Sequence, residues 1–301
     1  MKHRKLIAIL ITLAGGILWG ASGVFGQYLF ENNGFTSGSL VPLRLTTAGA
    51  LLLIFDFFRY RKQTLAVFRS KRNCLDLAVF SLVGVSLCQF SYFFTIEHSD
   101  AAVATILQYL SPVFIIIYSA LVGKKAPRAF EIIALIFALV GVFLIVGEGD
   151  IRALRINPLA LVFGIITALS VSVYNLQPKR LMQSFSTNII LGWGMLLGGI
   201  LLSIIMRPWQ YRVRLDSTAI IALFAIIVGG SILGFCFYMY GVKKLGAVYA
   251  SMLAAIEPVA ATVLSAVWLH TKFSFIELIG FLLIFSTIFI IAFFQLKEKR
   301  V

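Results

Sequence analysis

Residues 252–269 read MLAAIEPVAATVLSAVWL, and Glu257 is the one charge among apolar and small residues, with Pro258 directly after it. Insertion scales put a charged Asp, Lys or Arg at a bilayer centre at roughly 2.5–3.5 kcal/mol, so a carboxylate here must face protein, face a wet cavity, or carry a proton. Two readings follow. Glu257 titrates protons or binds a cation, or it is a structural carboxylate tied to backbone freed by Pro258. Arg44, in PLRLTTAGALLL, is the second isolated charge. It can pair with Glu257, meet an anionic substrate group, or snorkel to the outer surface. Pro112 lies in ILQYLSPVFIIIY beside Ser111, with Gln108 three residues before that serine on the same helix face. A proline removes one backbone donor and clashes with the carbonyl four residues earlier, so Pro112 and Pro258 are expected to kink their helices. Broken backbone at depth is tolerated only inside protein or at a cavity.

Other residues in apolar runs are candidates for a substrate cavity. Trp19, Ser22, Gly23, Gly26 and Gln27 fall roughly on one helical stripe, and Tyr92, Tyr174, Asn175 and Tyr238 add polar or aromatic groups. Trp19, Ser22, Arg44, Tyr92, Gln108, Ser111, Asn175 and Tyr238 are taken as the cavity set, against the plainer reading of packing or interfacial aromatics. Three G-x-x-x-G pairs, Gly16/Gly20, Gly194/Gly198 and Gly230/Gly234, are expected to let helices approach closely. Enzyme chemistry finds no support. GEGD, residues 147–150, fits the string of intramembrane aspartyl proteases, but Asp56 falls at the opposite membrane face. His3, His98 and His270 all lie at the ends of apolar runs, so no His sits at depth for a serine protease. There is no P-loop string. The three cysteines have no metal or redox spacing, and neither a metal nor a cofactor is expected.

The elements that hold these residues are membrane helices. The chain has 301 residues, 60% hydrophobic and 13% charged, with the apolar residues in long blocks. Blocks of about 20 apolar residues match a bilayer core of roughly 30 Å, and no short alternating segments of a β-barrel occur. Ten spans are read: 6–28, 38–57, 75–96, 101–122, 129–147, 157–178, 187–206, 217–241, 246–269 and 275–296. The first is too long for a signal-peptide core and is read as a retained helix. The net charge of +14 is not a nucleic-acid signature here, because the basic residues sit in short clusters between spans. With the N-terminus inside, cytoplasmic segments hold 19 Lys and Arg and outer loops six, which places both termini in the cytoplasm.

Residues 102–147 align without a gap on 248–293, an offset of 146. Pro112 then matches Pro258, Glu131 matches Glu277, and the register carries back to Gly84 with Gly230 and Tyr92 with Tyr238. Five spans per half is an odd number, so the second half must be inverted. The expected fold is an all-α integral membrane protein, ten transmembrane helices as two inverted five-helix repeats, residues 1–150 and 151–301. Such repeats are a signature of secondary transporters, with the substrate site near the midplane between the halves.

The motifs ILWGASGVF, PLRLTTAGALLL, AAVATILQYLSPVFIIIYSALVGK and AVYASMLAAIEPVAATVLSAVWL resemble those of the drug/metabolite transporter superfamily, specifically its EamA-type ten-helix exporters, over essentially the whole chain. The resemblance implies a central cavity lined mainly by helices 1, 3, 4, 6, 8 and 9, with 2 and 7 nearby and 5 and 10 outside. It places Trp19, Arg44, Pro112, Glu257 and Pro258 on recurrent family positions. It also implies a small-molecule substrate, with an amino acid or related amine favoured, moved outward and often linked to protons, in the plasma membrane. Where such proteins often carry Gly–Glu after helices 4 and 9, this chain has Gly123–Lys124 and Leu269–His270, so those gating carboxylates are missing. Importer or uncoupled facilitator, and non-transporting scaffold or receptor subunit, stand as the alternatives. For the topology, a reporter active only in the cytoplasm is expected to work when fused after Val301 and to fail when inserted between Arg207 and Arg214; the opposite pattern overturns the orientation.

Overall fold

The computed structural model describes residues 2–60, 62–99, 101–124, 126–147, 157–269 and 274–297. Ten helices are long and apolar enough to cross a membrane: α1 (His3–Asn33), α2 (Ser37–Phe58), α3 (Lys71–His98), α4 (Val103–Gly123), α5 (Ala129–Val146), α6 (Pro158–Ser184), α7 (Thr187–Met206), α8 (Ser217–Leu245), α9 (Ala247–Leu264) and α10 (Phe275–Lys297). No strand occurs among the described residues. Several helices outrun their apolar blocks. α1 continues through polar residues to Asn33, and α6 passes a turn at Gln177–Pro178, because a helix leaving the bilayer keeps satisfying its own backbone. GEGD beyond Gly147, Arg152, Arg155, His270 and Lys272 lie outside the described residues.

The two halves pack as symmetric partners. α2 pairs with α7 and α5 with α10; α1 packs on α8 and α9 as α6 packs on α3 and α4. Internal irregularities repeat as well. α3 carries a π-helical segment, Phe80–Leu87, and α8 carries one at Ala225–Gly234; the 146-residue offset takes the first onto the second. α4 breaks at Tyr109–Leu110 and α9 at Ala254–Ala255. The matched acidic pair also has a shared local role. Glu131 Oε2 accepts from the Arg128 backbone N–H at 2.9 Å and Glu277 Oε2 from that of Ser274 at 2.6 Å, each satisfying a donor that a helix N-terminus leaves unpaired.

The expected kinks take the form of breaks about one turn ahead of the prolines. Pro112 falls in the first turn of Ser111–Gly123 and Pro258 in that of Ile256–Leu269, where a missing N–H costs nothing. Asn157 caps α6 through the Leu159 N–H at 2.8 Å, and Asp216 caps α8 through the Ala219 N–H at 2.8 Å. That backbone donor is the main reason the Asp216 carboxyl is held below its ordinary value, and the Asn33 side chain, 3.1 Å away, adds to it.

Small residues set the interhelical distances. A Cβ on Gly49 would lie 2.4 Å from the Leu196 backbone nitrogen, and one on Gly199 would lie 2.5 Å from that of Thr46; α2 and α7 touch backbone to backbone. Gly199→Val is therefore expected to lower stability by about 1–3 kcal/mol, the usual cost of overpacking, whereas Gly123→Ala, whose Cβ meets nothing within 4 Å, is expected to leave it unchanged. Thermal unfolding of the purified protein in detergent checks both, and equal melting temperatures for the two variants would refute the packing argument.

Candidate functional site

Residues three or four apart on a helix share a face, and this spacing brings the chemical residues together. From α1 come Trp19, Ser22 and Gly23; from α3, Cys88, Gln89, Tyr92 and Phe93; from α9, Ser251, Ala254 and Glu257. Gln108, Tyr109 and Ser111 of α4, Tyr174 of α6, Phe235 and Tyr238 of α8 and Arg44 of α2 complete one cavity. Neither α5 nor α10 contributes to its wall. Its free volume is about 50 Å³, room for a few waters and far below the roughly 300–1,000 Å³ of pockets that enclose drug-sized ligands.

Glu257 is 3% exposed. Its carboxylate accepts from the Tyr92 hydroxyl and from Gln108 Nε2, both at 3.4 Å, and Tyr92 also reaches Thr105 Oγ1 at 3.4 Å. Behind it, α1 presses on the break in α9: a Cβ on Gly20 would lie 2.4 Å from the Glu257 carbonyl oxygen. At the break the Ala254 carbonyl accepts from the Glu257 backbone N–H at 2.8 Å and also from the Tyr109 hydroxyl. The two broken helices thus tie to each other at the level of the carboxylate.

Arg44 is 2% exposed, so it does not snorkel, and it makes no ion pair with Glu257. Its Nε donates to Ser231 Oγ at 2.9 Å, and its guanidinium carbon sits 4.7 Å from the Phe93 ring centroid. Ser231 donates onward to the Ile226 carbonyl at 3.0 Å, five residues back in the π segment of α8. The irregular helix positions the serine, and the serine positions the guanidinium. A cation held by one hydroxyl and one ring retains most of its five donors.

An aromatic wall separates this cavity from a second one. Trp19 lies 4.6 Å from Tyr238 and 5.0 Å from Phe235 between ring centroids, and its Nε1 donates to the Gly230 carbonyl at 3.1 Å. Tyr174 stacks on Tyr238 at 5.9 Å. The Tyr238 hydroxyl donates to Asn175 Oδ1 at 2.8 Å. Asn175 does not line the central cavity; it lines a vestibule of about 670 Å³ whose rim carries Lys179, Lys243, Lys244 and Glu131. The Tyr238–Asn175 pair therefore stands between the two spaces. Ser22 Oγ and Tyr174 Oη, both buried, have no hydrogen-bond partner among the described residues.

Seven of the eight cavity residues expected from sequence share this wall with Glu257, and Asn175 lies one layer beyond it. Reading along the chain misses Ser231, Phe93, Phe235, Gln89 and Tyr109. It also misses Ser251 and Ala254, which precede Glu257 at three-residue steps, a spacing that could have found them. Ser231 carries no such signal, because nothing in VGGSILG marks it as a partner for an arginine 187 residues away.

The sequence model of the EamA-like transporter family matches residues 6–147 and again 158–293. YicL of Salmonella typhimurium, described as an uncharacterized inner membrane transporter, is 33% identical over 292 residues, which is 97% of each chain. YyaM of Bacillus subtilis, an uncharacterized transporter, is 21% identical over 272 residues, 88% of this chain and 86% of that one. A crystal structure of a protein 20% identical in sequence shares the fold, with a TM-score of 0.76 over 96% of this chain and 98% of the other.

A double-mutant cycle of Tyr238→Phe and Asn175→Ala, followed by unfolding, is expected to give a coupling of about 0.5–1.7 kcal/mol, the range for polar pairs within membrane proteins. Strict additivity would remove this pair as a latch between vestibule and cavity.

Proposed function

Because the chain belongs to the EamA-like transporter family, we propose that it is a secondary transporter exporting a small zwitterionic metabolite, an amino acid or a related amine that also carries a carboxylate, across the cell membrane by alternating access. One observation carries the reading: a buried guanidinium and a buried carboxylate line one cavity without neutralising each other. A ligand with a carboxylate and an ammonium group satisfies both. Arg44 keeps donors free for the carboxylate, and Glu257, with the faces of Trp19 and Tyr238 nearby, suits the ammonium. With both termini in the cytoplasm, the vestibule opens on the cytoplasmic side and its lysines draw carboxylates inward, which supports loading from inside and release outside.

Glu257 has a second role in this proposal, as the proton site. A proton there removes the charge that holds the ammonium, so the protonated and substrate-bound forms exclude each other, as an exchanger requires. Protonation biases the inward- and outward-facing states only through its different affinity for the two.

The test begins with thermal stabilisation of the purified protein by amino acids, amines and nucleobases. A ligand at 100 times its Kd adds about 2.7 kcal/mol, so a zwitterionic binder is expected to raise the melting temperature of the unaltered chain but not of Arg44→Gln. Stabilisation by simple amines that survives Arg44→Gln sinks the zwitterion. In liposomes, Glu257→Gln is expected to abolish dependence on a pH gradient, and gradient-driven transport that persists in that variant ends the proton assignment.

A further inference from the structure

Away from the transport cavity, an apolar groove of about 420 Å³ opens on the outer surface of the bundle between α2 and α7. Ala50, Leu53, Ile54, Phe57, Leu65 and Trp193 line it, with Leu53 buried and Ile54, Phe57 and Leu65 exposed. From Ala50 to Phe58 the helix rises about 12 Å, close to the roughly 15 Å of hydrocarbon in one leaflet. The groove thus runs along the acyl region of a single leaflet rather than across the membrane.

The segment that follows α2 is fastened beside the groove. The Trp193 indole Nε1 donates to the Thr64 carbonyl at 2.7 Å, and the Phe68 ring meets the same indole edge-on at 4.8 Å. These contacts pin the segment linking α2 to α3 over the groove. That segment, residues 59–72, carries six basic residues and no acidic one. Arg69, Lys71 and Arg72 are exposed and have no ion-pair partner among the described residues. The acidic residue just beyond them, Asp76, is occupied by Arg180, whose Nη2 lies 2.5 Å from Oδ2.

We propose that this groove is a binding site for one anionic phospholipid, with an acyl chain along α2 and α7 and the headgroup phosphate on the basic linker. The charge of the linker selects an anionic headgroup over a zwitterionic one, because basic residues at a membrane surface each add to the attraction. The apolar walls take the chain, and Trp193 touches both parts of the site. The proposal is independent of what the central cavity transports.

Trp193 also supplies the readout. The full chain in detergent is titrated with phosphatidylglycerol or phosphatidylcholine bearing brominated acyl chains, and quenching of Trp193 is taken as the difference from Trp193→Phe. Phosphatidylglycerol is expected to reach half-quenching at a mole fraction about fivefold lower or better, the gain from a single surface Lys or Arg. Exchanging Arg69, Lys71 and Arg72 together for Gln is expected to narrow the gap between the two curves, and Ala50→Phe, which puts a ring into the groove, to weaken quenching by both lipids. Native mass spectrometry of the unaltered chain, delipidated and then offered both lipids, needs no variant and should retain phosphatidylglycerol in preference. Equal quenching by both lipids, retention without preference, or cross-linking of a second copy that shields Trp193 from either lipid would each overturn the proposal.

Discussion

A carboxylate deep in a bilayer has to be given polar company by the protein itself, since lipid offers none. Much of this structure follows from that requirement at Glu257. Tyr92 and Gln108 come to it from α3 and α4, at 3.4 Å each, so both helices must face α9. α9 in turn is broken at Ala254–Ala255, one turn ahead of Pro258, and the Ala254 carbonyl there takes a second donor, Tyr109, from the other broken helix. The side of α9 away from the cavity is sealed by α1, which comes close enough only because Gly20 has no side chain.

The architecture is symmetric and the chemistry is not. The π segments, the helix breaks, the proline positions and the capping glutamates all occur once in each half. These features shape the backbone, and both halves of an inverted repeat need the same shape to close on a shared cavity. The charges break the pattern. Glu257 stands where the first half has Ser111, and α7, the counterpart of the helix carrying Arg44, has no charged residue between Thr187 and Met206. At the cavity wall each half contributes one charge, and the two are of opposite sign.

Arg44 and Glu257 also show two ways of keeping an ion buried. Glu257 is held by two side-chain donors. Arg44 is held by Ser231, itself anchored to a carbonyl in a π segment, and by the face of Phe93. A direct ion pair would have satisfied both and closed the cavity chemically. Their separation leaves both ions on the wall of one cavity without pairing to each other.

Ten helices, their order, the two halves and the prolines were legible in the sequence, because hydrocarbon thickness dictates span length and the register of the halves survives as matched residues such as Pro112 and Pro258. The cavity set was largely legible too, since an isolated polar residue in an apolar run has few places to go. Three things were decided only in three dimensions. Arg44 turns inward to Ser231 rather than toward Glu257 or the surface; Asn175 stops one layer short of the cavity and latches Tyr238; and the breaks fall ahead of the prolines, where the helices can restart without a lost donor. Periodicity along one helix gives the face a residue lies on, but a partner on another helix depends on how closely two backbones approach, and here glycines and π segments far apart in the chain set that distance.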